Sequence, residues 1–88
     1  MTSAGSKKLQ RQILELSLRA LDELPTTVRN HTSSTVAIDP KYLPEAVKKI
    51  TKFRRELSEF VTTVGPPKEV YHLGISFYPV TNLTGEKE

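Results

Sequence analysis

The sequence contains no cysteine, which excludes disulfides, thiol nucleophiles and thiolate zinc sites and fits a reducing, cytoplasmic location. Its four glycines stand at scattered positions, so the glycine-rich phosphate-binding loops of nucleotide-binding proteins are excluded as well. Long apolar runs are missing, and no membrane-spanning segment is predicted. With two histidines, the chain offers no familiar set of metal ligands. We therefore expect no cofactor, no metal ion, no membrane contact and no enzymatic activity.

The length of 88 residues leaves room for one domain. A domain of this size is marginally stable alone, so a partner, a missing segment or self-association is expected to help. Residues 1–6 are small and polar, which predicts a disordered start or a cut point within a longer protein, and the polar residues 81–88 predict a disordered tail. We interpret residues 7–80 as a single domain.

Apolar residues recur at spacings of three and four from Ser6 to Leu24, which predicts an amphipathic helix that Pro25 ends. Leu14, Leu18 and Leu21 lie on a second flank of this helix, so its apolar arc is wider than one sheet face requires. We interpret these three leucines as a partner-binding surface for a second copy in a homodimer, or for a missing N-terminal domain of the same protein. The alternative is that they widen a single core stripe.

A second helix is predicted after Asp39, which can cap a first turn that has Pro40 at its first position. Gly65 and the prolines that follow it end this helix. Its apolar residues keep an alternating spacing of three and four: Leu43, Ala46, Ile50, Phe53, Leu57, Phe60 and Val64.

Two segments have the features of β-strands. Residues 35–38 are rich in β-branched side chains, and in residues 70–80 large apolar side chains alternate with smaller or polar ones. The predicted fold class is therefore α+β, in the order helix, strand, helix, strand. We expect a two-stranded sheet, completed to four strands by a partner or in a dimer, and covered by the two helices.

Basic residues are concentrated in the second helix, where Lys48, Lys52 and Arg55 line one side. These cations predict contact with an anion or with nucleic acid, although a solvated helix face is the more ordinary interpretation. Aromatic side chains that could stack on bases do not interleave with them. Nucleic acid is therefore a secondary expectation for this region.

The last predicted strand has a second, less apolar face, which carries His72, Ser76 and Tyr78. An open sheet face next to the first helix could bind a small-molecule effector. This gives a third candidate site.

Several segments taken together resemble the C-terminal region of a bacterial family of uncharacterised proteins, the domain of unknown function 4423, which is numerous in predatory and fibre-degrading bacteria. The similarity covers nearly all of residues 9–81. The segments that carry it are residues 9–21, 24–25, 33–37, 53–57, 70–73 and 77–81.

Members of that family are longer and have a helical N-terminal part described as a DNA-binding or transcriptional-regulator region. The resemblance implies that this chain is the C-terminal fragment of a bacterial transcriptional regulator, and it implies no catalytic residues. The leading expectation is a non-enzymatic regulatory or dimerisation domain. The alternatives are a nucleic-acid-binding module that uses the basic helix from Lys48 to Arg55, and a small-molecule effector-binding domain.

Overall fold

The computed structural model describes residues 3–83, with side chains from residue 5 onward, and its regular structure there is helical. Helix α1 spans Ser3–Glu23 and helix α2 spans Leu43–Thr63. Two short 3₁₀ turns, Pro40–Tyr42 and Val80–Asn82, precede and follow α2 along the chain. The chain divides into two units, Met1–Ala37 and Ile38–Glu88. Helix α1 belongs to the first unit, and α2 with both turns belongs to the second.

Helix α1 begins three residues before the predicted start and ends, as predicted, before Pro25. Its last turn closes when the Leu24 amide donates to the carbonyl of Ala20, at 3.0 Å. The helix stops there because proline disfavours a helical conformation in the residue before it. Arg29 then reaches back, and its Nε donates to the carbonyl oxygen of Leu24 at 2.8 Å, which satisfies an acceptor left open by the helix end.

The loop after α1 also returns to the middle of the helix. Nε2 of His31 lies 3.0 Å from the carbonyl oxygen of Ser17 and 3.1 Å from its Oγ. A carbonyl oxygen can only accept, so Nε2 carries the hydrogen in this arrangement. His31 therefore ties the loop to α1 as a structural residue.

A bidentate ion pair lies on the exposed surface of α1. Nε and Nη2 of Arg19 each donate to a carboxylate oxygen of Glu23 at 3.2 Å. The hydrogen bonds and the positive charge of Arg19 lower the pKa of Glu23, and the same contacts raise the pKa of Arg19. The pair links consecutive turns of the last part of the helix.

We expect the pKa of Glu23 to be lower in the natural chain than in an Arg19→Gln variant, because only the natural chain has the guanidinium partner. The pair stabilises α1 above the pKa that Glu23 has in the unfolded chain, and this contribution is lost as the pH falls through the lowered folded-state pKa. Carbon-13 NMR titration of the Glu23 carboxyl group measures the difference. Identical midpoints in the two proteins would contradict the pairing.

In the second unit, the start and the end of α2 follow from local sequence signals. Oδ1 of Asp39 accepts a hydrogen bond from the Lys41 amide at 3.1 Å, with Pro40 at the start of the turn, so the predicted cap is confirmed. The first turn of α2 contains Pro44, where a missing amide hydrogen costs nothing. Helical hydrogen bonding ends when the Val64 amide donates to the carbonyl of Phe60 at 3.1 Å.

The predicted α+β fold is wrong, because residues 3–83 contain two helices and no β-strand or sheet. Residues 35–38 and 70–79 have no regular secondary structure. Alternating apolar residues favour a strand only when a neighbouring strand accepts and donates the backbone hydrogen bonds, and the described part of the chain supplies no such neighbour. The sheet is therefore removed from the predicted architecture, and the interpretation of residues 7–80 as a single domain stays a prediction.

The two predicted disordered ends lie partly outside the described residues, namely at residues 1–2 and 84–88. Residues 3–6 form the first part of α1, and Thr81 and Asn82 form part of the second 3₁₀ turn.

Burial is low throughout the described part of the chain. None of its side chains is buried, and the partly covered ones are Ser6, Ile13, Ala20, Arg29, Ala46, Ile50, Thr51 and Leu57. Residues 5–83 therefore form no hydrophobic core of their own. Neither described helix is long and apolar enough to cross a membrane.

Candidate functional site

Three leucines form a continuous apolar surface on α1, here called the leucine face: Leu14, Leu18 and Leu21. At about 100° per residue they fall within about 60° of one another around the helix axis. Their exposed fractions are 54%, 59% and 44%. Periodicity correctly placed these residues on one face, and the structure shows that this face is open to solvent. Whether a partner binds there stays a prediction.

The loop returns to α1 at Ser17, which borders the other apolar side of the helix. Ile13 and Ala20 belong to that side, and both are partly covered. They lie one turn before and one turn after Ser17, the residue that His31 contacts. Leu14 and Leu21 of the leucine face also lie one turn before and one turn after Ser17. The loop therefore approaches α1 between the leucine face and the main apolar stripe, which consists of Leu9, Ile13, Leu16, Ala20 and Leu24.

Helix α2 carries a second apolar surface, here called the α2 stripe, made of the residues with alternating spacing of three and four from Leu43 to Val64. Phe53 and Phe60 are the largest of them and are 54% and 59% exposed. Sequence reasoning assigned this stripe to the underside of a sheet, and so missed it as a candidate interaction surface. The signal that could have found it is the unbroken heptad spacing, which is typical of helices that pair with helices.

The predicted basic residues form a strip on the opposite side of α2. Lys48, Lys52 and Arg55 follow one another at spacings of four and three, and all three are exposed. The helical projection places them roughly 160° from the α2 stripe. Among residues 5–83 the ion pair within 4.0 Å joins Arg19 and Glu23, so no ion pair neutralises this strip. A shallow recess beside it is lined by Glu45, Lys48 and Lys49.

The predicted effector face is not assembled in the described part of the chain. His72, Ser76 and Tyr78 are exposed and lie in a segment without regular structure. The expectation that they share one sheet face was wrong, because the sheet is absent from residues 3–83. Effector binding by these residues stays a prediction.

No group of three or more histidine, cysteine, aspartate or glutamate side chains within residues 5–83 is placed to hold a metal ion. The described residues thus present an apolar face on α1, and an apolar and a basic face on α2. They define a small helical protein with exposed amphipathic surfaces.

The family of this domain is established by sequence comparison. The profile of the family described as domain of unknown function (DUF4423) matches residues 1–80. The match extends over most of the 88 residues, so the chain belongs to this family, as the resemblance predicted. No curated protein and no solved structure gives a significant match.

Proposed function

We propose that this chain is a non-enzymatic, cytoplasmic interaction domain that binds a partner through the leucine face of α1, with a second copy as the first partner to test. The observation that carries the proposal is the exposure of Leu14, Leu18 and Leu21 on one side of a regular helix. Contiguous apolar surface of this kind is unfavourable in water and marks protein interaction sites.

The energetics limit how small the interface can be. Complete burial of a leucine contributes about 1.5–3 kcal/mol, so covering the half that is still exposed contributes about 1 kcal/mol per residue. Three leucines then give about 3 kcal/mol, less than the 4–15 kcal/mol estimated for lost freedom on association. The leucine face must therefore be the centre of a larger contact that takes in more of the first unit.

A regulatory role fits such a domain. The sequence resemblance implies a transcriptional regulator, and a domain that binds another protein, or a second copy of itself, is a common way to join or control a DNA-binding part. This role rests on the interaction itself, so the interaction is the step to test.

Sedimentation equilibrium of the full chain, with methyl NMR of the three leucines over the same concentrations, tests the proposal. We expect the average mass to rise with concentration and the leucine methyl signals to shift with it. A chain that stays monomeric, with unchanged methyl signals, would rule out self-association through this face.

A second candidate function is nucleic-acid binding through the basic strip of α2. The observation that favours it is the alignment of Lys48, Lys52 and Arg55, exposed and without an ion pair, on the side of α2 away from the apolar stripe. Cations spaced along one side of a helix suit the regular phosphates of a duplex.

Changing Lys48, Lys52 and Arg55 to glutamine is expected to reduce affinity for a short DNA duplex by about tenfold or more at 0.1 M salt, since each phosphate contact contributes through counterion release. The slope of log affinity against log salt should fall by about 2 to 3. Fluorescence anisotropy at several salt concentrations measures both quantities.

The matched control removes three positive charges from α1, at Lys7, Lys8 and Arg11. The control should lose less affinity than the α2 variant. Equal losses would indicate a response to net charge alone, and undetectable binding of the natural chain at low salt would eliminate the function.

A further inference from the structure

Helix α2 has a complete heptad pattern. Its apolar side chains follow spacings of three and four without interruption, and the helix itself is continuous over Leu43–Thr63. In the usual heptad letters, position a is held by Leu43, Ile50, Leu57 and Val64, and position d by Ala46, Phe53 and Phe60. Such a pattern over about three heptads is typical of helices that pair along their length. Phe53 and Phe60 are largely exposed in the structure, so the line of a and d residues, here called the seam, is open to solvent.

The charges beside this seam distinguish the two directions in which a second copy could pair. Lys49 and Glu56 hold the g positions, and Arg54 holds an e position. In a parallel pair, g of one helix meets the following e of the other, which brings Lys49 against Arg54 twice and is repulsive. In an antiparallel pair the g positions of both helices share one flank. Lys49 of each copy then meets Glu56 of the other, giving two opposite-charge contacts.

We propose that α2 pairs with α2 of a second copy in the antiparallel direction, about a two-fold axis between Thr51 and Lys52. Reversing one helix about this axis places the a residues Leu43, Ile50 and Leu57 opposite d residues, and Val64 lies beyond the last layer. The resulting layers are Leu43 with Phe60, Ala46 with Leu57, and Ile50 with Phe53, each occurring twice. In the same register, Lys49 of one copy and Glu56 of the other differ in height along the helix axis by about 3 Å, at 1.5 Å rise per residue.

Two further features agree with this arrangement. Antiparallel packing puts the positive end of each helix dipole beside the negative end of the other. It also leaves Lys48, Lys52 and Arg55 on the outer side of the pair, so no lysine or arginine of that strip is desolvated. Symmetric, self-complementary contacts of this type are the commonest form of homodimer.

This interface is separate from the leucine face and does not rest on the proposed function, because it uses only residues of α2. Its test therefore uses charge changes in α2, made both in the natural chain and in a chain with Leu14, Leu18 and Leu21 changed to glutamine. Association that remains in the chain with the three leucines changed to glutamine is association through α2.

Sedimentation equilibrium of the full chain is measured for Lys49→Glu, for Glu56→Lys and for an equimolar mixture of the two. Each single variant replaces two attractive contacts by two repulsive ones, and the dissociation constant of its homodimer should rise by about tenfold. In the mixture both contacts regain opposite charges, so a heterodimer at least as tight as the natural pair is expected.

The matched controls are Lys48→Glu and Glu59→Lys, which make the same charge changes at neighbouring positions that face outward. They should leave association within about twofold of the natural chain, because exposed charges away from an interface contribute little. Circular dichroism confirms that α2 remains helical in every variant.

Three results would overturn the proposal. Tighter association of Lys49→Glu would mean parallel pairing, where the new glutamate meets Arg54. Equal effects of Lys49→Glu and Lys48→Glu would mean that the seam is not the contact. A natural chain that stays monomeric to about millimolar concentration, where the weakest specific complexes form, would remove the pair altogether.

Discussion

A chain with Leu14, Leu18 and Leu21 all changed to glutamine is expected to associate through α1 about 100-fold more weakly than the natural chain. Each leucine loses about 1 kcal/mol of burial that only the complex provides, and about 1.4 kcal/mol corresponds to a factor of ten in affinity. Glutamine keeps the side-chain length and has a helix propensity close to that of leucine, so α1 itself should persist. Sedimentation equilibrium gives the dissociation constants, and circular dichroism gives the helix content.

Two single variants provide the matched comparison. Leu16 is 61% exposed, much like Leu18 at 59%, but it lies roughly 160° away from Leu18 around the helix axis. Leu18→Gln should weaken association several-fold, whereas Leu16→Gln should have little effect on the leucine face. If both variants weaken association equally, the association is non-specific and hydrophobic, and it does not depend on the leucine face.

The helices could be predicted from the sequence because their signals are local. Spacings of three and four, the Asp39 cap and the stop at Pro25 all act within one or two turns. The observed bounds, Ser3–Glu23 and Leu43–Thr63, therefore differ from the predicted ones by only a few residues. The position of the leucine face on α1 followed from the same periodicity.

The sheet could not be predicted reliably, because a strand depends on a distant neighbour. The alternation of Tyr71, Leu73, Ile75 and Phe77 describes which side chains would share a face, but not whether another strand is present to pair with the backbone. Residues 3–83 contain no such strand. The predicted effector face of His72, Ser76 and Tyr78 was placed on that sheet, so the shared face is absent from residues 3–83, and effector binding by these residues stays a prediction.

Two features of the candidate sites lay outside what periodicity can show. The contact of His31 with Ser17 joins residues far apart in the chain through one side chain, and no local pattern specifies it. The exposure of the α2 stripe depends on what covers it, and sequence spacing alone does not distinguish a helix that packs on a sheet from one that packs on another helix. The charges at Lys49 and Glu56 add the information that spacing lacks.

In dilute solution, the chain alone is expected to lose its helices gradually on heating, without a sharp calorimetric transition. None of the described side chains is buried, and a cooperative transition with a large heat-capacity change requires the exposure of buried apolar surface. Isolated helices are held mainly by local hydrogen bonds and are marginal in water at lengths only somewhat shorter than these. The heat-capacity change should therefore fall well below the usual value of about 12–15 cal/mol/K per residue.

Raising the concentration should change this behaviour, because a complex that forms only from folded chains stabilises them by mass action. A hundredfold increase, from about 10 μM to about 1 mM, should sharpen the transition and raise its midpoint if association completes the burial of the leucine face or the α2 stripe. Scanning calorimetry and circular dichroism at 222 nm, run at both concentrations, measure the change. The triple leucine variant and Lys49→Glu should each reduce the concentration dependence, and the residual dependence in each shows which helix surface forms the contact. A sharp, concentration-independent transition of a chain that sedimentation shows to be monomeric would mean that the exposed surfaces are covered within one molecule, and both association proposals would fail together.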